Sequence, residues 1–272
     1  MSNRILNEIK PKEVFKYFED LTRIPRCSGK EEKVVEYLID FANKHGFEWK
    51  KDNKLNVLIK KPATKGYESR STVILQSHTD MVCEKNKDTK HDFDTDPIAI
   101  EIEDDKIIAK ETTLGADDGI GVAIAMAFLA DKDAEHPALE AVFTSDEERG
   151  LAGAEYFDIN MLDGRILINL DANDDKQFVV GSAGGPVLKI DIPIDRVTLG
   201  SKDKIAFKIK IQGLTGGHSG EDIHRGRANA NKLMARLLQS VSGNLELFLS
   251  DINGGIQYNA IPREAEAIIF IG

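Results

Sequence analysis

The sequence predicts an α/β fold, with a mostly parallel sheet flanked by helices and part of a smaller α+β domain after it. Through residue 171, apolar runs of strand length alternate with segments of helix length, which is the pattern of a layered domain. From residue 187 to 212, single apolar and polar residues alternate instead, as in half-exposed strands. We therefore predict a first domain over residues 1–185 and a second over residues 186–272.

The spacing of apolar residues predicts the individual elements. Helical spacing indicates a helix over 11–24 and another over 28–46. We expect Ser28 and Glu31 to form a capping box at the start of the second helix, and Gly46 to end it. The other predicted elements are strands at 55–60, 72–77, 138–145, 164–172, 187–194, 205–213 and 264–272, helices at 117–131, 150–157 and 225–243, and a hairpin at 96–111 turning at Asp104 and Asp105.

Composition and charge exclude several classes of function. The 272 residues include 46 acidic and 36 basic side chains, and the net charge of −10 disfavours binding to nucleic acid or to an anionic membrane surface. There is no apolar run of about 18 residues that would span a bilayer, and the N-terminus turns polar too early for a secretory signal. We therefore expect a cytoplasmic protein without nucleic acid or membrane partners, in which Cys27 and Cys83 are reduced thiols.

Ionisable residues follow the apolar strands at corresponding places. These residues are His78 and Asp80 after the strand at 72–77, Asp146, Glu147 and Glu148 after the strand at 138–145, and Asp171 in the strand at 164–172. The carboxyl ends of strands in an open parallel sheet form one rim, where ligands bind. Asp117 and Asp118 precede an apolar helix and would lie near the same edge. The sequence thus predicts one imidazole and several carboxylates at one rim.

This set of side chains suits Zn²⁺ and other divalent transition metals. Because it contains more acids than one cation needs, we predict two metal ions that share a carboxylate, as in hydrolytic sites. One of the adjacent glutamates can bind metal while its neighbour takes a proton from the attacking water. Asp80 can accept the second N–H of His78 and fix its tautomer. The structural alternative is that these carboxylates cap the helices that follow them.

Several sequence blocks carry a resemblance to a known family. The blocks are SHTDMV, GADDGIGVA, SDEERGLAGA and INLDA, followed later by GLTGGHSGEDIHRGRANA. In order and spacing they resemble the zinc metallopeptidases of family M20, which includes aminoacylases, dipeptidases and related exopeptidases. With TTLGADDGIG, GSAGG and NAIPREA added, the chain is most similar to the aminoacyl-histidine dipeptidase branch. The resemblance covers the whole chain and implies a phosphorylase/hydrolase-like catalytic domain with a lid domain.

The resemblance implies a role for each matching residue of the first domain. His78 and Asp171 would bind one zinc ion, Glu148 would bind the second, and Asp117 would bridge both. A cis peptide bond would join Asp117 to the next residue. Glu147 would be the general base, and Asp80 would orient His78. Co²⁺ and Mn²⁺ are the expected substitutes for Zn²⁺.

The lid domain carries two further candidates. His218 matches a lid histidine that reaches the scissile carbonyl oxygen, where an imidazole N–H would act as an oxyanion donor. Asn259 lies in a block that the family places near the substrate. Considered without the resemblance, the glycines around His218 suit an ordinary turn equally well. The resemblance also implies that the lid can form a homodimer contact.

The expected function is metal-dependent hydrolysis, by a zinc-activated water, of dipeptides with a free N-terminus, including Xaa-His dipeptides. A tripeptidase or an N-acyl amino acid deacylase of the same family is the first alternative. The second is an inactive fragment, because the enzymes it resembles are longer and supply a late histidine to the second metal. No histidine follows His224 here, so we expect a C-terminally truncated chain with an incomplete metal site.

Overall fold

The chain forms two compact units in the computed structural model. The structure describes residues 4–86, 88–172, 174, 176–181, 188–200, 204–220, 222–255 and 259–272. By internal contacts the units are Met1–Ser182 and Ala183–Gly272. The predicted domain boundary at 185/186 and most of the GSAGG block lie outside the described residues, so the boundary stays a prediction.

The first unit is built on a mixed five-stranded sheet. Its elements are, in chain order, α1 (Lys12–Leu21), α2 (Glu32–His45), β1 (Glu48–Lys51), β2 (Val57–Lys61), β3 (Val73–His78), β4 (Ile100–Glu103), β5 (Lys106–Ala109), α3 (Ala116–Ala130), β6 (Leu139–Thr144), α4 (Ala152–Tyr156) and β7 (Ile166–Asn169). The sheet order is β1-β2-β6-β3-β7. β3 pairs in parallel with β6 and with β7. β2 pairs antiparallel with both of its neighbours, β1 and β6. The α/β class is confirmed, with a parallel part that is smaller than predicted.

Alternate residues of the central strands face two different apolar layers, as the two-residue period of a strand requires. On one face the sheet packs against α1, α2 and α3 through Val57, Ile59, Leu75, Ala141 and Phe143. On the other face Leu58, Ile74 and Val142 pack against Phe157, Met161 and Leu162. All six residues of β6 are buried. This strand lies in the middle of the sheet, between β2 and β3, and both of its faces are covered.

The parallel strands bring their carboxyl ends to one edge. His78, the last residue of β3, pairs with Thr144, the last residue of β6. Gln76 pairs with Asn169 at the end of β7. The segments that follow all three strands therefore leave the sheet side by side, and they carry the predicted ionisable residues.

The predicted hairpin and the predicted end of α2 are confirmed, whereas the predicted capping box is wrong. The hairpin forms as β4 and β5, and Gly46 ends α2 in the left-handed conformation with φ of 72°. The capping box does not form, because α2 begins only at Glu32 and its cap makes no side-chain hydrogen bond. The Ser28 hydroxyl donates to Asp80 Oδ2 (2.7 Å), and Glu31 Oε1 accepts from the Asp146 amide (2.9 Å). Both side chains therefore form hydrogen bonds with residues far away in the sequence instead of with the start of α2.

The two cysteines are also not reduced thiols, contrary to the prediction. Cys27 and Cys83 form a disulfide, with Cα atoms 5.6 Å apart. They meet because the segment after α1 pairs with the segment after β3 through a parallel bridge between Cys27 and Met81. Nothing in the separation of 56 residues reveals this proximity. The cysteines therefore no longer support the cytoplasmic prediction.

The second unit contains an antiparallel sheet and one long helix. Its elements are β8 (Ile205–Ile211), α5 (Ala230–Ser242), β9 (Leu247–Gly254) and β10 (Ala265–Ile271), with sheet order β8-β10-β9. Ala230 and Met234 of α5 pack on Ala265, Ala267 and Ile269 of β10. The predicted strand at 187–194 is wrong, because residues 188–194 form no strand and their apolar side chains are exposed. In the described part of the chain, no helix is long and apolar enough to cross a membrane.

Candidate metal centre

The ends of β3, β6 and β7 and the start of α3 converge on one imidazole nitrogen. Nε2 of His78 lies 2.9 Å from Asp117 Oδ1 and 3.8 Å from Asp171 Oδ2. Glu147 Oε2 is 3.9 Å from the same nitrogen. Glu148 joins this group, since the ligand atoms of His78, Asp117 and Glu148 all lie within 4.8 Å of one another. The four residues predicted as metal ligands and the predicted base thus surround one small volume.

The site has a buried floor and an open side. The His78 side chain is 1% exposed, whereas that of Asp117 is 64% exposed. Asp171 and Glu147 lie between these extremes, at 32% and 29%. The imidazole is therefore fixed in the protein, and the carboxylates line the side that a cation and a substrate can reach.

Asp80 supports both sides of the site. Its Oδ1 lies 3.3 Å from His78 Nδ1 and accepts the Glu147 amide (2.9 Å). Its Oδ2 accepts the Glu148 amide (3.2 Å) and the Ser28 hydroxyl (2.7 Å). Burial raises the pKa of Asp80, but these partners outweigh it and hold the pKa at about 2. Asp80 is therefore ionised at neutral pH, lies beside the imidazole and accepts two successive amides of the loop after β6.

Asp118 is a supporting residue, which sequence reasoning placed only among the acids near the sheet edge or at the start of the following helix. It is 1% exposed, and its Oδ2 accepts the His78 amide (3.1 Å) while Oδ1 accepts the Gly121 amide (3.1 Å). The bond between Asp117 and Asp118 is cis, as the family resemblance implies. Asp117 is 64% exposed and lies on the open side of the site, whereas Asp118 is buried. A sequence shows only their adjacency.

Crowding and burial make the metal-free site electrostatically unfavourable. Burial, followed by the charges of Asp117 and Glu147, raises the pKa of Glu148 to about 6. Burial also raises the pKa of Glu147 and, together with the charge of Asp117, that of Asp171. Burial lowers the pKa of His78, but Asp80 and Asp117 outweigh it and raise the pKa to about 10. The carboxylates around His78 therefore favour the protonated form of its imidazole at neutral pH.

The donor set fits divalent metal ions. One imidazole with several carboxylates is the chemistry of hydrolytic zinc sites. His78 and Asp171 would hold one ion, Asp117 would be shared, and Glu148 would hold the other. Among the described residues, the groups that could hold a metal contain only one imidazole, that of His78. The second position would therefore have carboxylate ligands alone in this part of the chain.

The two candidates of the second unit lie on neighbouring segments. His218 pairs with Ala260 in an isolated bridge, and the Ser219 amide donates to the Asn259 carbonyl (2.8 Å). The Gly220 amide donates to His218 Nδ1 (3.1 Å), so the neutral ring carries its proton on Nε2. The His218 side chain is exposed, and the roles of His218 and Asn259 stay predictions.

Comparison with known proteins finds peptidase matches in both parts of the chain. Residues 56–189 match the model of peptidase family M28, and residues 204–272 match the peptidase dimerisation domain of M20 enzymes. The cytosol non-specific dipeptidase of Escherichia coli (strain K12) is 43% identical over 266 residues. The first part of the chain is thus similar to M28 peptidases, the last part to the dimerisation domain of M20 peptidases, and 98% of the chain to a dipeptidase. This confirms the family resemblance drawn from the sequence blocks.

Solved structures of peptidases are also similar to this chain. The aminoacylhistidine dipeptidase from Vibrio alginolyticus is 38% identical, with a TM-score of 0.70, and the match covers 98% of this chain. The aminopeptidase PepT from Bacillus cereus, at 20% identity and a TM-score of 0.54 over 95% of this chain and 65% of its own, shares the fold. The chain spans about half the length of its closer relatives, with 55% of the Escherichia coli protein and 54% of the Vibrio protein covered.

Proposed function

We propose that the protein hydrolyses dipeptides with a free N-terminus, including Xaa-His dipeptides, at a two-metal site. The observation that carries this proposal is the convergence of Asp117, Glu147 and Asp171 on Nε2 of His78, within 3.9 Å. The similarity to a dipeptidase at 43% identity and to an aminoacylhistidine dipeptidase at 38% identity supports the substrate class. The tripeptidase alternative has weaker support, because a solved tripeptidase from Staphylococcus aureus is only 18% identical, with a TM-score of 0.52, and so shares only the fold.

The protein groups divide the work of hydrolysis. His78, Asp117, Glu148 and Asp171 would hold divalent cations, which would supply a water of lowered pKa and a Lewis acid for the peptide carbonyl. Glu147, partly exposed beside the cluster, accepts the proton from the attacking water and passes it to the leaving nitrogen. Burial raises the pKa of Glu147 above the ordinary carboxyl value, which makes the carboxylate a better proton acceptor. The N–H of His218 would donate to the developing oxyanion, and Asn259 would contact the substrate.

Three finer points complete the proposal. Zn²⁺ is the metal we expect, with Co²⁺ or Mn²⁺ as substitutes, because an imidazole with carboxylates suits these ions. The match of residues 204–272 to a dimerisation domain supports a homodimer through this unit. The name of the Escherichia coli relative supports a cytoplasmic location.

The decisive experiment assays the metal-free chain with Zn²⁺, Co²⁺ or Mn²⁺ restored against dipeptides, tripeptides and N-acyl amino acids. We expect turnover of dipeptides, including Xaa-His, that a chelator abolishes and added metal restores. Turnover of acylated substrates alone would assign the deacylase function instead. The Glu147→Gln variant is the control for a contaminating peptidase, because it should bind metal but lose activity.

The second candidate is a chain that binds metal without catalysis. It is favoured by one observation, the single imidazole in the metal-capable groups of the described residues. Metal stoichiometry separates the two candidates. Two ions per chain together with turnover supports the peptidase, whereas one ion without turnover supports the inactive form.

A further inference from the structure

A buried arginine lies beneath the site and joins two of its segments. Arg26 is 2% exposed, and its Nη1 donates to the carbonyls of Thr79 (3.0 Å) and Asp80 (3.1 Å). Its Nη2 donates to the carbonyl of Gly115. The first two carbonyls directly follow His78, and the third precedes Asp117 by two residues. One guanidinium therefore connects the segment that supplies the imidazole to the segment that supplies the predicted bridging carboxylate.

The glycines of the GADDG block provide an independent observation. A Cβ atom added at Gly115 would lie 2.6 Å from Arg26 Nη2, and one added at Gly119 would lie 2.5 Å from the same nitrogen. Gly115 and Gly119, which flank Asp117 and Asp118, thus leave free the space that the Arg26 guanidinium occupies. The backbone φ of Gly115, at 71°, also favours glycine. Gly119 has no such requirement, so its missing side chain is explained by the space that Arg26 occupies.

We propose that Arg26 is a positioning residue that holds the His78 and Asp117 segments at the separation needed for a shared metal ion. This proposal rests on the proposed function for the identity of the ligands. Arg26 touches neither the predicted ligands nor the open side of the site, so it acts through the backbone. The planar guanidinium is suited to this role, because it directs several N–H groups in fixed directions, which the ammonium of lysine does not.

Charge and geometry can be separated by substitution. Burial lowers the pKa of Arg26, partly offset by the charges of Asp80 and Asp118, to about 10, so the group is cationic at neutral pH. Arg26→Lys keeps a cation at this place but loses the fork that reaches both segments. Arg26→Met keeps an unbranched side chain and removes both the charge and the donors.

The test measures Co²⁺ and Zn²⁺ affinity by competition with a chelator, using the full chain. For Arg26→Lys and Arg26→Met we expect affinity to fall by about 10- to 100-fold, the usual cost of losing support to metal ligands. Gly119→Ala should reproduce this loss by displacing Arg26. The double variant Gly119→Ala with Arg26→Lys should lose little more than Arg26→Lys alone, because both changes remove one interaction. Native affinity in Arg26→Lys, or full additivity in the double variant, would overturn the proposal.

A second readout needs no metal. In the metal-free protein, we expect faster amide hydrogen exchange in segments 78–81 and 115–121 of Arg26→Lys, with the rest of the first unit unchanged. Glu19→Gln is the matched control, because Glu19 is also 2% exposed and accepts the amides of Ile5 and Leu6 away from the site. That variant should leave metal affinity and both segments unaffected.

These readouts also separate the two proposals. A wild-type chain that binds neither Co²⁺ nor Zn²⁺ would overturn the proposed function. Amide hydrogen exchange in segments 78–81 and 115–121 would still test whether Arg26 holds these segments in place. A chain that binds metal normally, with exchange in the two segments unchanged by Arg26→Lys, would overturn the role of Arg26 alone.

Discussion

Replacing Asp80 by asparagine tests whether the supporting shell sets metal affinity. The carboxylate uses both oxygens, one for the Glu147 amide at 2.9 Å and one for the Glu148 amide at 3.2 Å. It also lies 3.3 Å from His78 Nδ1. Asparagine has the same shape but only one acceptor oxygen and no charge. At least one of the two amides must therefore lose its acceptor, and the imidazole must lose its anionic partner.

The expected magnitudes follow from these contacts. A buried amide left without an acceptor costs about 1–3 kcal/mol, so the free energy of unfolding of the metal-free chain should fall by that amount. Loss of the carboxylate behind a metal-binding histidine lowers metal affinity by about 10- to 100-fold. The two effects have different origins, since the first concerns the loop after β6 and the second concerns the imidazole.

Urea denaturation of the metal-free variant and chelator competition with Zn²⁺ measure the two quantities separately. Glu140→Gln is the matched control, because Glu140 is also buried and its carboxylate accepts the amides of Asp163 and Gly164 at the opposite end of β6. It should lose stability but keep metal affinity. If Asp80→Asn bound Zn²⁺ as tightly as the wild type, the role assigned to Asp80 would be refuted.

Three further predictions concern the base, the imidazole and the packing of the loop. Glu147→Gln should reduce kcat for a dipeptide by about 10²- to 10⁴-fold with an unchanged number of bound metal ions, and a parallel loss of metal would contradict its role as base. Because His78 is protonated below its pKa of about 10 and must be neutral to bind metal, each chain should release about one proton from it on metal binding at pH 7. Metal affinity should therefore rise with pH, and titration calorimetry in buffers of different ionisation enthalpy checks both points. Gly153→Ala should cost about 1–3 kcal/mol in urea denaturation, because its Cβ would lie 2.1 Å from the Ser145 carbonyl oxygen, whereas Gly200→Ala meets nothing within 4 Å and should be neutral.

Strong periodicity made most elements of the first unit predictable. The apolar runs at β3 and β6 are long and uninterrupted, and the hairpin of β4 and β5 has its turn at two acidic residues. β1 and β9 were not predicted, since their sequences, EWKK and LFLSDING, have polar or mixed character. β1 exists because it pairs with β2. Such pairing is a tertiary effect that local patterns do not contain.

The candidate ligands were predictable, whereas the groups that support them were not. His78, Glu148 and Asp171 each follow an apolar strand, so one rule about the edge of a parallel sheet brings them together. Arg26 and Glu31 lie in a segment that, read locally, looks like the start of a helix. Their partners are 53 to 115 residues away. Only the fold reveals that this segment lies beneath the site.

The loop after β6 shows how three adjacent acids are arranged before a metal ion binds. Asp146 has a left-handed backbone with φ of 51°, and its carboxylate pairs with the Arg149 guanidinium. It is therefore separated from the carboxylates of Glu147 and Glu148. Its amide donates to Glu31, and the next two amides donate to Asp80. Three successive N–H groups thus point towards buried carboxylates. The backbone of this loop is fixed by those anions, so Glu147 and Glu148 are held in place before any metal arrives. Metal binding then has to neutralise charge but does not have to order the loop, which is why the supporting residues, and not the ligands alone, should control the affinity of the site.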